Sequence, residues 1–501
     1  MPDQEEQMRA IRAFAVLGVL ALVAGACGGS TPTTAPSGGA TTVPAASATT
    51  APAASATTAP EPSASAAAGA PVEIRWYCCL GGGDAPEQVT VEKQVVEKFN
   101  ASHPNIKLTF EAVPYAGAND ALATEIASGN GPDIVGPVGI GGANAFHGQW
   151  LDLAPLIAKN NYDLSGFPPD AVNIYKLDEG QVGIPFAIYP SVLFYSKSLF
   201  TEAGLAEPPH TYGAKYKMPD GTEVDWNYDT VRRVAKILTV DKSGKDATQA
   251  GFDPKNIVQW GFEPQRDDLR GMGAYFGAGT LAGGADGKTA QIPAAWKAAW
   301  TYWYDAMWTD HISMTGPIFS SPDINPEDYP FFTGKIAMSE NFLWSTYGLE
   351  GLKGDWDMGI IPSYNGQVTS AFNADTFRIL KGTKHPDEAF EVLTYLLGEG
   401  APDLLATYGG MPARTADQAA FFAGQDVTFT QKPDWQVAID SIQFADNPNF
   451  ESYMPAYNET LGLVGSGGKY TTRWQTNQGL DMNKEVETLR AEIQAIWDKQ
   501  P

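Results

Sequence analysis

Cysteine and histidine most often supply nucleophiles and metal ligands, and this chain has few of either. Its three cysteines are Cys27, Cys78 and Cys79, and its five histidines are dispersed along 501 residues. No two histidines stand four residues apart and HExxH is absent, so a zinc site of Cys and His is not expected. Cys78 and Cys79 have no histidine near them in the sequence, which leaves a cysteine–histidine nucleophile unsupported.

Carboxylates are so numerous that a pair of them carries little information. Asp267-Asp268, Glu340 and Asp375 could supply the two acids of a glycosidase, but the chain has 58 Asp and Glu residues. Neither G-x-S-x-G nor a Walker A loop occurs. The segment 241–253 has some oxygen-ligand spacing but lacks the calcium-loop pattern with its terminal Glu, which favours a solvated turn. We predict no catalytic residue, no metal and no cofactor.

Charge and composition exclude other classes of protein. There are 33 basic residues, and the formal net charge is −25, so the basic face that nucleic acid requires is not expected. The 43% hydrophobic content is enough for a large core. No run of about 18 apolar residues predicts a transmembrane helix.

The N-terminal segment predicts export and a tether. Arginines followed by an apolar stretch are typical of a secretory signal, which we place at 1–26. Ala24-Gly25-Ala26-Cys27 resembles a bacterial lipobox, whose cysteine is lipidated; the alternative is a cleaved signal with an incidental cysteine. Residues 27–70 are almost all Ala, Thr, Ser, Pro and Gly, which predicts a disordered tether anchored by lipid at Cys27.

Strands and helices alternate after this tether. The pattern predicts strands at 72–77, 106–113 and 134–138, with helices between them. This order is typical of parallel β-α-β units in an α/β fold, whose ligands bind beyond the carboxyl ends of the strands. The loops at those ends are 78–84, 114–120 and 136–144, and the second contains the candidate ligand contacts Asn119 and Asp120.

Tryptophans cluster in one later helix. Trp296, Trp300 and Trp303 recur at i, i+4 and i+7. Such a stripe is far more often core than a ligand site, so we predict a structural role.

Three further segments resemble one family. They are GIPFAIYPSVLFYSKSLFTEAGLAEPP from Gly183, FTGKIAMSENFLW from Phe332, and WDMGIIPSYNGQVTSAFNADTFRILKG from Trp356. In order, they are similar to the extracellular solute-binding proteins of ABC importers, in the branch that includes maltose-binding protein. VEIRWYCCLGGG, GNGPDIVG and GGMPAR fit the same family, so the resemblance covers about residues 72 to 500.

The resemblance implies a two-lobe periplasmic-binding-protein fold of class II, with hinge strands and a ligand cleft between the lobes. It places the N-lobe at 72–187 plus 368–408 and the C-lobe at 188–366 plus 411–501. The implied function is capture of a mono- or oligosaccharide and delivery to an ABC permease. The protein would act without catalysis, as a lipid-anchored monomer on the outer face of the cytoplasmic membrane.

The same resemblance implies which side chains meet the ligand. Tyr189 lies on the first crossing strand, as a ligand contact or a hinge core aromatic. Asn341 and Trp344 match the stretch whose tryptophan stacks on sugar; the alternative for Trp344 is a core role. Asn373 and Asp375 follow the second crossing, and Asp375 is either a hydroxyl acceptor or a turn cap.

Cys78 and Cys79 are not explained by the family. Outside the cytosol, adjacent cysteines can close a vicinal disulfide. We hypothesise that this disulfide forms and lines the cleft as a flat ligand-binding surface. The alternative is two buried free thiols.

Two other functions stay open. The same fold could bind a charged solute, such as a peptide or polyamine, through Arg266, Asp267, Asp268 and Arg270. A secreted glycoside-active enzyme is the second. Replacing Trp344 by Ala should abolish binding of an uncharged sugar, whereas an ion-paired ligand should be sensitive to salt.

Overall fold

The computed structural model describes residues 70–264, 268–283, 287–324, 330–352 and 354–500. The predicted signal at 1–26, Cys27, and all of the predicted tether at 27–70 except Ala70 lie outside these ranges. Within the described ranges, no helix is both long and apolar enough to span a membrane.

The first three strands form the predicted parallel units. Strand β1 (Val72–Cys78) lies between β2 (Ile106–Ala112) and β3 (Ile134–Gly139), and both pairings are parallel. Helices α1 (Pro86–Ser102) and α2 (Tyr115–Ala127) connect them. The α/β prediction for this region is therefore confirmed.

One buried strand joins two parts of the main sheet. Strand β4 (Ala187–Ser196) is buried at all ten positions. Its first four residues pair with β7 (Phe372–Ile379), and the rest pair with β5 (Met338–Phe342) and β6 (Trp356–Gly359), all antiparallel. The short β8 (Met411–Pro412) also pairs with the start of β4, and β7 pairs on its other side with β3. The described sheet therefore runs β5-β4-β7-β3-β1-β2.

Helices and short hairpins surround this sheet. The short helix α3 (Ile140–Asn144) follows β3 directly. The other α-helices are Ala154–Lys159, Pro169–Asn173, Lys197–Glu202, Tyr228–Leu238, Leu269–Ala274, Ala294–Trp308, Gly316–Phe319, Pro386–Leu396, Ala401–Tyr408, Thr415–Thr428, Gln436–Ser441, Tyr457–Val464, Lys469–Thr476 and Met482–Trp497. The 3-10 helices are Pro330–Thr333, Leu343–Leu352 and Ile442–Phe444. The two-stranded pairs are Lys176–Leu177 with Gly180–Gln181, Lys215–Lys217 with Glu223–Asp225, Val240–Asp241 with Ile257–Gln259, and Ala282–Gly283 with Thr289–Ala290.

The tryptophan-rich helix Ala294–Trp308 is core, as predicted. Trp296, Trp300 and Trp303 are at most 1% exposed. The Trp300 indole N–H donates to the Leu269 carbonyl at 2.7 Å, which satisfies its polar atom inside the core.

Candidate functional site

Three of the predicted ligand contacts share one face of the sheet. Tyr189 on β4 lies directly opposite Asn373 on β7. Opposite residues of an antiparallel pair share a face, and so do residues two apart on one strand. Asp375 therefore lies on the same face, which we call the Tyr189–Asp375 face.

Small residues make room for the Asp375 carboxylate. Its backbone pairs with Gly139 on one side and Ala187 on the other. A Cβ at Gly139 would lie 3.3 Å from Asp375 Oδ1, and one at Gly81 would lie 3.7 Å from Oδ2. The Tyr189 hydroxyl donates to Oδ2 across a long 3.5 Å. Burial raises the pKa of Asp375 to about 6, and the Tyr189 hydroxyl opposes that rise.

An aromatic surface adjoins this carboxylate. The Trp344 ring lies 5.3 Å from the Tyr189 ring, edge to face, and 4.3 Å from the Phe342 ring. Tyr189 and Phe342 are buried, whereas Trp344 is partly exposed. A pyranose presents an apolar C–H face and a rim of hydroxyls, which an aromatic ring and a carboxylate can bind. The combination suits a sugar.

Asn341 lies on the other side of its strand. It pairs with Val192, whereas Phe342 pairs with Ser191, which shares a face with Tyr189. Its side-chain oxygen accepts the Phe342 backbone N–H at 2.8 Å. The strand register therefore places Asn341 on the face opposite Phe342, and its role at the ligand stays a prediction.

The predicted ligand contacts Asn119 and Asp120 lie on helix α2. The residue before α2 is Pro114 and the helix begins at Tyr115, so these two side chains project from a helix rather than a loop, and both are exposed. In the described ranges, no hydrogen bond or ring contact joins them to Tyr189, Trp344 or Asp375. The prediction that residues 114–120 form a loop is therefore wrong.

Cys78 and Cys79 are bonded to each other and buried. The structure joins the two sulfurs in a disulfide, and both residues are 0% exposed. Gly83 packs on them so closely that a Cβ there would lie 2.5 Å from the Cys78 sulfur. A sulfur without accessible surface presents no ligand face, which corrects the expectation that this pair lines a cleft.

Glu92 connects the disulfide to the site. Its carboxylate lies 3.5 Å from the Cys78 sulfur and accepts the Tyr408 hydroxyl. Burial raises the pKa of Glu92 to about 7, and the Tyr408 bond opposes the rise. The Tyr408 ring in turn packs edge to face on the Phe186 ring, with centroids 6.2 Å apart. Phe186 immediately precedes β4.

Glu451 is a candidate that sequence reasoning missed. It accepts the Gly141 backbone N–H at 3.2 Å, and its own carbonyl accepts the Asn144 side chain at 2.5 Å. Burial raises the pKa of Glu451 to about 7, opposed by Arg270 and favoured by the charge of Asp375. A Cβ at Gly141 would lie 3.1 Å from the Tyr457 hydroxyl, so Tyr457 stands beside Glu451.

A buried aspartate holds the segment that carries Glu451. Asp446 accepts the backbone N–H of Phe372 at 3.0 Å and that of Phe450 at 2.6 Å. Asn449 adds a bond to the Phe372 carbonyl at 2.7 Å. Burial raises the pKa of Asp446 to about 8, opposed by these backbone donors. The segment is thereby fixed to the first residue of β7, close to Asn373.

Of the residues proposed for a charged ligand, Asp268 and Arg270 are committed to each other. Arg270 is 2% exposed and forms an ion pair with Asp268 at 2.8 Å. Its guanidinium also lies 5.7 Å from the Tyr457 ring centre. Arg266 and Asp267 lie outside the described residues.

Two other carboxylates named from the sequence have internal partners. Asp241 accepts both the backbone N–H and the hydroxyl of Ser243 at 2.7 Å, and the Asp253 N–H at 2.8 Å. Asp241 therefore organises a turn, the interpretation that the sequence favours over a calcium site. Glu340 is 1% exposed and accepts the Tyr228 hydroxyl at 2.6 Å; burial raises its pKa to about 8.

Comparison with known proteins gives one family. Residues 83–402 match the family model described as bacterial extracellular solute-binding protein. An uncharacterised lipoprotein of Streptomyces antibioticus is 26% identical over 175 residues, 35% of each chain. A putative binding protein of Brucella abortus is 30% identical over 118 residues, 23% of this chain and 28% of its own. The chain thus spans about a third of the length of the curated relatives it matches.

Solved structures match across almost the whole folded part. An ABC substrate-binding protein from Listeria monocytogenes in complex with cycloalternan has a TM-score of 0.62 at 19% identity, covering 86% of this chain and 100% of its own. The sugar-binding protein MalE from Xanthomonas citri has a TM-score of 0.62 at 15% identity, with 85% and 98% covered. The cyclic α-maltosyl-1,6-maltose binding protein from Arthrobacter globiformis has a TM-score of 0.61 at 14% identity, with 86% and 100% covered. At these identities the likeness establishes the two-lobe fold.

Proposed function

Because the chain belongs to the bacterial extracellular solute-binding proteins of ABC transporters, we propose that it captures a mono- or oligosaccharide on the Tyr189–Asp375 face. One observation carries the proposal: the partly exposed Trp344 indole packs against Tyr189, which bonds Asp375. Stacking would bind the apolar side of a sugar ring, and Asp375 with Asn373 would bind its hydroxyls. The titles of the matched structures name carbohydrates for those proteins, which supports the same ligand class here.

Glu451 and Tyr457 would complete the site from the lobe opposite Asn373 and Asp375. In this proposal the N-lobe is 72–187 plus 368–408, and the C-lobe is 188–366 plus 411–501. The change of partners along β4, from β7 to β5 and β6, supports a lobe boundary near Pro190. The contact of Glu451 with Gly141 would then bridge the lobes, so that ligand binding favours closure through differential contacts.

The proposed role in the cell is delivery to a permease. The chain would be exported, lipidated at Cys27 and held as a monomer at the outer face of the cytoplasmic membrane, where it passes sugar to ABC importer subunits without catalysing a reaction. The lipoprotein relative supports the anchor, and the family is substrate-binding rather than catalytic. In an expressing bacterium, Cys27→Ser should move the protein from the membrane fraction to the medium; equal membrane retention would contradict the anchor.

A thermal-shift screen tests the ligand. The panel should hold linear and cyclic glucans, monosaccharides, amino acids, polyamines and short peptides. A ligand at a hundred times its dissociation constant adds about 2.7 kcal/mol to the free energy of unfolding, which is measurable as a rise in Tm. A rise confined to one sugar class supports the proposal. A rise with charged solutes alone would keep the family and discard the sugar, and turnover of any glycan would contradict the non-catalytic role.

A further inference from the structure

A second cluster of ligating groups lies apart from the Tyr189–Asp375 face. His147 Nε2 lies 2.9 Å from an Asp178 oxygen and 3.8 Å from Glu179 Oε2. One ligating atom from each of these three residues lies within 4.8 Å of the other two. One imidazole and two carboxylates are a donor set that Zn²⁺ binds.

Glu179 has one committed oxygen and one free one. Its Oε1 accepts the Trp150 backbone N–H at 3.1 Å and lies 3.5 Å from Lys381 Nζ. The Glu179 side chain is only 5% exposed, and its Oε2 is shielded from solvent yet accepts no hydrogen bond. A buried carboxylate oxygen without a donor is costly, so a cation at this oxygen would relieve an existing penalty.

From this arrangement we infer that His147, Asp178 and Glu179 form a divalent-cation site, with Zn²⁺ as the best-matched ion. Zinc binds nitrogen and oxygen at about 2.0–2.2 Å, so tetrahedral ligands lie about 3.3–3.6 Å apart, between the two separations seen here. The Asp178 side chain is 74% exposed and can rotate to the ion at little cost. Lys381 lies 3.5 Å from Glu179, and the buried Arg378 also attracts the Glu179 charge, so Asp178 would supply the negative charge for the cation.

The site would brace the segment that carries Glu451. The His147 ring stacks on Tyr453 with centroids 3.7 Å apart, and Tyr453 follows Glu451 by two residues. An ion that fixes the imidazole would hold this stack in place. The inference does not depend on which solute the protein carries.

Titration of the EDTA-treated, tag-free full chain with ZnCl₂ alone tests the inference. Calorimetry should show one zinc per chain in wild type. Asp178→Asn and Glu179→Gln should each weaken binding by about tenfold or more, as expected when one ligand is lost. The matched control is His103→Gln, because His103 lies 3.9 Å from a single carboxylate, that of Glu391; it should bind zinc like wild type.

Two results would overturn the site. One is the absence of saturable binding below about 100 µM, a concentration at which a real three-ligand site should be filled. The other is wild-type zinc affinity in both Asp178→Asn and Glu179→Gln. Asp178 is exposed, so Asp178→Asn should fold normally. If Glu179→Gln unfolds because Glu179 is buried, the result with Asp178→Asn alone decides.

Discussion

The Tyr189–Asp375 face and the Cys78–Cys79 disulfide both concentrate reactive or polar groups, yet only one of them is open to a ligand. Trp344 and Asp375 are partly exposed, whereas both cysteines are 0% exposed and covered by Gly83 and Glu92. Unusual residue chemistry therefore does not by itself mark a binding surface. A binding surface needs solvent access and polar atoms that can still form hydrogen bonds. Only the Tyr189–Asp375 face has both.

Trp344→Ala should produce the largest effect on binding. Removing a central stacking ring should weaken sugar affinity about 100-fold, equivalent to about 2.7 kcal/mol. Titration calorimetry with the best sugar of the screen measures it. The matched control is Trp308→Ala, another partly exposed tryptophan, whose N–H bonds the Trp474 carbonyl at 2.9 Å. Similar affinities for the two variants would remove Trp344 from the site.

Asp375→Asn should weaken binding about tenfold while stabilising the protein at neutral pH. Binding should weaken because the substitution removes a charged hydrogen-bond acceptor for a sugar hydroxyl. Burial raises the pKa of Asp375 to about 6, above its unfolded value near 4. Folded wild type therefore holds the proton more tightly, and its stability falls as pH rises from about 4 to about 6. The Asn variant escapes that fall, so its Tm should exceed that of wild type at pH 7.5 and match it below pH 4.

Glu485→Gln is the contrasting control for this stability effect. The Glu485 carboxylate accepts the Arg473 guanidinium at 2.7 and 3.0 Å, which lowers its pKa, so its charged form stabilises the folded protein at neutral pH and the amide loses that stabilisation. Its Tm should therefore fall at pH 7.5. A lower Tm for Asp375→Asn as well would show that Asp375 is a structural cap rather than a ligand acceptor.

Gly141→Ala should have a moderate effect through Glu451. The new Cβ would lie 2.7 Å from Glu451 Oε1, so the carboxylate must move. Sugar affinity should fall about three- to tenfold, the equivalent of one weakened hydrogen bond. Gly117→Ala on α2 is the control because its Cβ meets no atom within 4 Å; it should leave affinity unchanged. Equal binding by both variants would exclude Glu451 from the site.

Reduction of the disulfide should have the smallest effect. Because the sulfurs have no accessible surface, affinity should change by less than about twofold on treatment with a phosphine. Stability should change little, since a loop of adjacent residues gains least from a cross-link in the chain-entropy account. Intact mass after alkylation reports the redox state. A tenfold loss of affinity would return the sulfurs to the ligand surface, and free thiols in the untreated protein would contradict the disulfide.

The sequence predicts the local elements well because their periodicity is local. The parallel units of β1, β2 and β3 and the buried tryptophan stripe follow from spacing alone. The juxtaposition of Tyr189 with Asp375 does not, since it depends on the pairing of strands far apart in the chain. The family resemblance predicts it, because it places both residues near crossing strands.

Three placements could not be predicted from the sequence, each for a physical reason. The face that Asn341 occupies could not be predicted, because a shift of one residue reverses a strand's faces and only the register with β4 fixes it. Asn119 is expected in the loop 114–120, whereas α2 already begins at Tyr115, and Pro114 has no capping side chain that would mark this start. Glu451 went unnoticed because Asp446 fixes its segment to Phe372, 74 positions away. No local pattern distinguishes Glu451 among 58 acidic residues.

Hydrogen–deuterium exchange with and without the best sugar tests most directly whether the Tyr189–Asp375 face is where ligand binds. We predict slower exchange in peptides covering 338–346, 372–376 and 449–457, and no ligand effect on the peptide that covers 212–227. Tyr212 and Trp226 in that peptide line a separate cavity of about 710 Å³, together with Phe444. Protection confined to that cavity, with 338–346 and 372–376 unchanged, would contradict the account.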